Sequence, residues 1–132
     1  MSKLPWVIAG VAGSALAALL VTSRTGRAAP HPESRAGITG ERVLPPSLVL
    51  RTPGALEAYE AARTVAPVLD GLHCYCECAK NFGHRSLVTC FESDHGSQCD
   101  ICIGEATLAA QLDAAGSSLD EIRRAIDERF RP

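Results

Sequence analysis

All six cysteines of this 132-residue chain lie between Cys74 and Cys102, inside the block HCYCECAKNFGHRSLVTCFESDHGSQCDICIGEA that runs from His73 to Ala106. Ordinary core cysteines scatter through a fold, so this concentration marks a cross-linked knot. Three of the four histidines, His73, His84 and His95, share the block. The chain needs such a knot. Its foldable part is about eighty residues, a size at which a hydrophobic core alone is marginal and a metal or disulfides usually add the missing stability. Large aromatic anchors are few, with one Trp, two Tyr and three Phe.

Cys74, Cys76 and Cys78 alternate with Tyr75 and Glu77. In extended backbone three sulfurs at that spacing project to one side. Cys99 and Cys102 are three apart where a helix is expected to begin, which puts them on one face near a helix amino terminus that favours thiolate. Soft thiolates select zinc, copper(I) or iron-sulfur clusters, and imidazole suits zinc and copper. The candidate ligands are therefore Cys74, Cys76, Cys78, Cys90, Cys99 and Cys102, with His84 and His95 as additions, and the expected ion is zinc or copper. His73 is a weaker candidate that merely adjoins Cys74. Three disulfides are the competing reading, since the cysteine count is even and six cysteines permit fifteen pairings. A redox role for Cys99-Asp-Ile-Cys102 is the third, although the βαβ pattern that accompanies a thioredoxin-type motif is missing.

Ahead of the block, Leu4 to Val21 forms an uncharged stretch, LPWVIAGVAGSALAALLV. As a helix it would be about 27 Å long, close to the hydrocarbon thickness of a bilayer. Gly26-Arg27-Ala28 offers a small-x-small cleavage site, so residues 1–27 are expected to be a signal peptide or a membrane anchor. No cysteine near its end could be acylated. The expected location is outside the cytoplasmic membrane, tethered or secreted. Residues 28–50 hold Pro30, Pro32, Pro45 and Pro46 with Gly37 and Gly40, lack sustained periodicity and read as a linker, with His31 solvated.

Residues 51–132 then form a mainly α domain of three helices, without a convincing strand pair. Thr52 and Pro53 look like a cap and first position, and Leu56, Tyr59, Ala62, Ala66 and Leu69 recur at helical spacing, predicting a helix over 53–71 that Pro67 bends. Glu57, Glu60 and Arg63 should face water. A short helix is possible around Ser86 to Phe91. After Cys99, Ile101, Leu108, Leu112 and Ala115 fall on one stripe, with Gly116 as the stop. Ser118 and Glu121 form a capping-box signature that opens a last helix with Leu119, Ile122, Ile126 and Phe130 inward. Arg123, Arg124, Arg129 and Arg131 are best explained as cations near a helix carboxy terminus.

Charge excludes one class of partner. Residues 1–27 carry Lys3, Arg24 and Arg27 and no acid, a net +3, whereas the other 10 basic and 15 acidic residues leave the body at −5. Phosphate binding needs a basic surface, so nucleic acid is not an expected partner; a metal ion and a membrane through residues 4–21 are, and an envelope protein is the partner under the competing disulfide reading. No nucleotide-binding, serine-hydrolase or metalloprotease signature occurs, and no nucleophile stands beside a base, so the chain is not expected to be an enzyme.

The stretch Cys74-Tyr-Cys-Glu-Cys78, followed by Gly83-His84-Arg85-Ser86-Leu87, Cys90-Phe91, Asp94-His95 and Cys99-Asp-Ile-Cys102, resembles the bacterial proteins named for a PCYCGC motif, many of them lipoproteins. The resemblance covers roughly residues 57 to 128 and implies an extracytoplasmic Cys-rich module. Two positions depart from the name: His73 stands in place of proline and Glu77 in place of glycine.

Overall fold

The structure, a computed structural model, describes residues 29–49 and 52–132; the apolar stretch 4–21 lies outside them. The described residues form six α-helices, α1 (Ala55–Thr64), α2 (Ala66–Asp70), α3 (Cys78–Phe82), α4 (Leu87–Phe91), α5 (Asp100–Ala114) and α6 (Leu119–Phe130), with 3-10 turns at Gly40–Arg42, Pro46–Leu48 and Asp94–Gln98. Among them there is no strand, and no helix is long and apolar enough to cross a membrane.

The helix expected over 53–71 is two helices. Proline disfavours helical backbone in the residue before it and removes a donor of its own, so Pro67 is accommodated in the first turn of α2, where that donor is not needed. The break falls at Val65, whose φ of −116° and ψ of 30° leave the helical region. The amino-terminal cap is Gly54, in left-handed backbone, rather than Thr52, whose hydroxyl instead donates to the Ser97 carbonyl. α1 buries Ala55, Ala58, Tyr59 and Ala62 and packs most extensively on α5, which buries Cys102, Glu105, Ala106 and Ala109. Small side chains on both helices let the two backbones approach closely.

That packing corrects the stripe expected on α5. Ile101 is exposed, Leu108 and Leu112 are half-buried and Ala115 is exposed, while the true inner face runs through Cys102, Glu105, Ala106 and Ala109. The last helix follows the expectation: Ser118 and Glu121 make the reciprocal capping box, Ile122 and Ile126 are fully buried, and Gly116 ends the preceding helix at φ +85°.

Residues 29–49, expected to be a linker, are packed on the body. Ile38, Val43 and Val49 are buried in the core. The Leu44 N–H donates to the Phe91 carbonyl at 2.8 Å, and Arg63 donates to the Val43 carbonyl at 2.7 Å, so Arg63 is an anchor and not a solvated charge like Glu57 and Glu60. Arg123 donates to the carbonyls of Pro32 (2.9 Å) and Gly71 (3.1 Å), giving one member of the carboxy-terminal basic set a structural task. His31 is not solvated: it accepts from the His73 N–H at 3.0 Å through Nδ1 and donates through Nε2 to Asp127 at 3.0 Å. A proline at position 73, as in the motif's name, could not donate that bond.

The fully buried Asp70, at the end of α2, joins three stretches of chain. It accepts from the backbone and guanidinium of Arg35 (2.7 Å each), from Arg85 (3.0 Å) and from the Ser86 hydroxyl (3.1 Å). Burial by itself would raise its carboxyl, but the Arg35 and Ser86 hydrogen bonds and the Arg35 charge hold it down at about 2.

Candidate metal centre

The turn at Tyr75–Glu77 replaces the extended backbone expected for C-x-C-x-C. It closes through Glu77 at φ +62°, the one non-glycine residue with positive φ among those described, and leads directly into α3 at Cys78. Left-handed backbone costs an L-residue about 1–2 kcal/mol, and glycine adopts it freely. The structure thus gives a reason for glycine at this position of the motif, and Glu77 carries strain that glycine would not. Allowing for glycine's greater freedom when unfolded, Glu77→Gly is expected to stabilise the reduced protein by about 1 kcal/mol, raising its melting temperature by several degrees in a thermal scan followed by circular dichroism. A lower melting temperature would contradict the assigned turn.

Five sulfurs meet behind this turn. Those of Cys74, Cys76, Cys78, Cys90 and Cys102 all lie within 4.8 Å of one another, brought together from the Cys74–Cys78 turn, from α4 and from the first turn of α5. Cys74 and Cys76 are 3.1 Å apart, and each is 3.5 Å from Cys102. Four of the five residues are buried and Cys76 is half-buried. Cys76 and Cys78 are joined as a disulfide, while Cys74, Cys90, Cys99 and Cys102 are thiols.

A second group adjoins the first and shares Cys78 with it. The Cys78 sulfur and one ring nitrogen each from His84 and His95 also lie within 4.8 Å of one another. His95 Nε2 is 3.1 Å from Cys78 Sγ, and His84 Nδ1 is 3.2 Å from Cys90 Sγ. The two imidazoles stand edge to face at 4.8 Å, with Phe82 against both. Burial, then the neighbouring His95, lowers His84 and favours the neutral imidazole that binds metals. His95 is held by the 3-10 turn Asp94–Gln98, pinned where the Tyr59 hydroxyl donates to the Ser93 carbonyl at 2.6 Å. Gly96 in that turn has no room for a side chain: a Cβ would lie 2.9 Å from the Cys90 carbonyl oxygen and 3.2 Å from the Tyr59 hydroxyl.

Of the eight residues singled out by sequence, seven are therefore gathered. Cys99 is the exception. It caps α5 in extended backbone (φ −132°, ψ 109°), so the three-residue spacing to Cys102 does not place both on one helical face, and its sulfur is outside both groups. His73 is also outside them; its ring packs on Tyr75.

Electrostatics favour protons over bare thiolates here. The contact with Cys102, joined by burial and the nearby Glu105 charge, pushes the Cys74 thiol up. Contact with Cys102 favours Cys90 thiolate, yet contact with Cys74 and burial raise the thiol overall. Contact with Cys74 likewise favours Cys102 thiolate, but Cys90 and burial prevail and override any help from the helix amino terminus. A cation among these sulfurs supplies the compensating charge and lets them deprotonate.

Glu105, which the sequence reading passed over, belongs to this setting. It is fully buried one helical turn beyond Cys102, its Oε1 accepts from the Tyr75 N–H at 2.9 Å, and its Oε2 has no hydrogen-bond partner. Burial raises its carboxyl to about 7 against the lowering effects of Cys74 and Tyr75. A buried carboxylate with an orphan oxygen beside a sulfur cluster fits a pocket whose charge is balanced by a cation. Its signal was in the chain: it is the one charged residue between Ile101 and Leu112.

These features define a small helical, Cys-rich domain organised around a thiol and imidazole pocket that could hold a metal. The chain belongs to the PCYCGC-motif family, described as proteins of unknown function with that motif, and the match extends over residues 27–132. It therefore includes residues 29–49, which the resemblance in the cysteine block had left out. No curated protein and no solved structure matches the chain significantly.

Proposed function

We propose that this protein binds a soft metal ion, zinc or copper, and holds or hands it on outside the cytoplasmic membrane. The observation that carries the reading is the convergence of five sulfurs from three separate parts of the chain within 4.8 Å. Such a collection is costly to bury as thiolates and becomes favourable around a cation. Two half-buried imidazoles at its edge supply nitrogen donors suited to the same ions. The proposed role is binding, because the Cys78–His95 and Cys90–His84 pairs sit within the donor groups and, against the opposing contact with Cys102, contact with Cys74 and burial keep the Cys90 thiol protonated rather than nucleophilic. The apolar stretch 4–21 is the proposed anchor or export signal.

A disulfide-stapled interaction module is the alternative, and the Cys76–Cys78 bond is the observation in its favour. That bond closes a ring of three residues, however, and a cross-link restrains the unfolded chain less the shorter the loop it closes. It is a poor staple, and it leaves Cys74, Cys90 and Cys102 as thiols in the same cluster.

The full chain, purified in detergent without added oxidant, distinguishes the two. Free thiols are counted under denaturing conditions with and without chelator, and metal is measured by elemental mass spectrometry. Six thiols with at least one bound ion per chain are expected, the Cys76–Cys78 link being reduced in the metal-bound protein. No metal, together with fully oxidised cysteines, would exclude the metal reading.

A further inference from the structure

We propose that the pocket holds two divalent ions bridged by the Cys78 sulfur, a conclusion that rests on the metal-binding reading above. Zinc in thiolate and imidazole sites takes four ligands in a tetrahedron. One such ion would use four of the seven gathered donors and leave three sulfur or nitrogen atoms idle in the same pocket. Two tetrahedra that share one corner require seven donors, and the pocket supplies seven once the Cys76–Cys78 disulfide is reduced to two thiols, five sulfurs and two imidazole nitrogens.

The donors also divide in the way a shared corner demands. They form a group of five sulfurs and a group of Cys78, His84 and His95, with Cys78 common to both, and the contact of His84 with Cys90 assigns the fifth sulfur to the imidazole side. On the inner side, Cys74, Cys76 and Cys102 make a nearly equilateral triangle with edges of 3.1, 3.5 and 3.5 Å. With zinc–sulfur bonds of about 2.3 Å, a tetrahedral edge is about 3.8 Å. The triangle is thus one face of a site whose edges open by about 0.3–0.7 Å, and reduction of the Cys76–Cys78 disulfide frees Cys78 to serve as its fourth corner. On the outer side, His95 touches Cys78 and His84 touches Cys90, at 3.1 and 3.2 Å. Cys78, Cys90, His84 and His95 then complete a second, sulfur and nitrogen site.

Charge favours two divalent ions over one. Five thiolates with two divalent cations and two neutral imidazoles leave the pair of centres one charge short of neutral, whereas four thiolates around one ion leave two uncompensated charges beside the buried Glu105. Two copper(I) ions would compensate fewer charges than two zinc ions. The outer centre, lined by half-buried imidazoles and the exposed Phe82, is the one open to exchange.

The test uses the full chain in detergent, reduced and loaded anaerobically with zinc or cobalt(II). Elemental mass spectrometry should find two zinc ions per wild-type chain and one in the His84→Ala, His95→Ala double variant, with helical circular dichroism retained. Cobalt loading of the wild type gives an independent reading: the paramagnetic resonance signal should grow to one equivalent and fall with the second, as a shared thiolate couples the two spins. One zinc in both proteins, or a cobalt signal that doubles without coupling, would overturn the bridged pair while leaving single-ion binding intact. No metal in either protein would remove the metal-binding reading itself.

Discussion

Replacing Cys102 by serine is expected to weaken zinc binding about 100-fold or more, whereas Cys99→Ser leaves it unchanged. The free energy of a four-ligand structural zinc site is about 10–16 kcal/mol, so the loss of one sulfur donor corresponds to about 3 kcal/mol or more. Cys102 lies 3.5 Å from both Cys74 and Cys76, at one corner of the inner sulfur face. Cys99, three residues earlier, caps the same helix outside both donor groups. Competition with a chromophoric chelator at fixed pH measures both variants. Equal losses in the two would mean that the sulfurs had been assigned to the wrong side of the helix start.

The second large effect lies away from the sulfurs. Asp70→Asn should cost the metal-free, reduced protein about 3 kcal/mol in urea unfolding, because it breaks a fully buried carboxylate out of contact with two guanidiniums, a backbone N–H and a hydroxyl. The estimate stays at the lower end of the range for buried pairs because Arg35 and Arg85 are partly exposed. Its pH dependence has a definite sign. The folded carboxyl is held at about 2, below its ordinary 3.8, so its contribution is complete above pH 3.8 and disappears as pH falls through 2. The shift corresponds to about 2 kcal/mol. Wild type should therefore lose that stability between pH 4 and 2, and the asparagine variant should show a flatter curve there. Parallel curves would remove Asp70 from the role assigned to it.

What could be read from the sequence was what is written locally. The capping box at Ser118 and Glu121, the stop at Gly116 and the inward Ile122 and Ile126 depend on neighbours within a turn or two, and each stands as expected. Proximity in the chain also made the cysteine block visible as a unit, and seven of its eight candidate donors meet. Errors arose where distant contacts decide. Ile38, Val43 and Val49 are isolated among prolines and glycines, and the bonds that seat them come from Arg63, Phe91, Arg123 and Asp70, tens of residues away. α5 is apolar around much of its circumference, so periodicity could not tell the face with Glu105 from the one with Leu108 and Leu112. Cys99 was misplaced for a related reason: its spacing to Cys102 is helical, but its backbone has not yet entered the helix.

The three-residue ring between Cys76 and Cys78 sets a limit on the pocket as a reservoir. A link that restrains so little of the chain adds little to the stability of the body, so its reduction is expected to cost the fold little. Each closure withdraws two of the five sulfurs, the proposed bridge among them, and leaves Cys74, Cys90 and Cys102 alone. Five sulfurs are thus available with that small loop open and three with it closed.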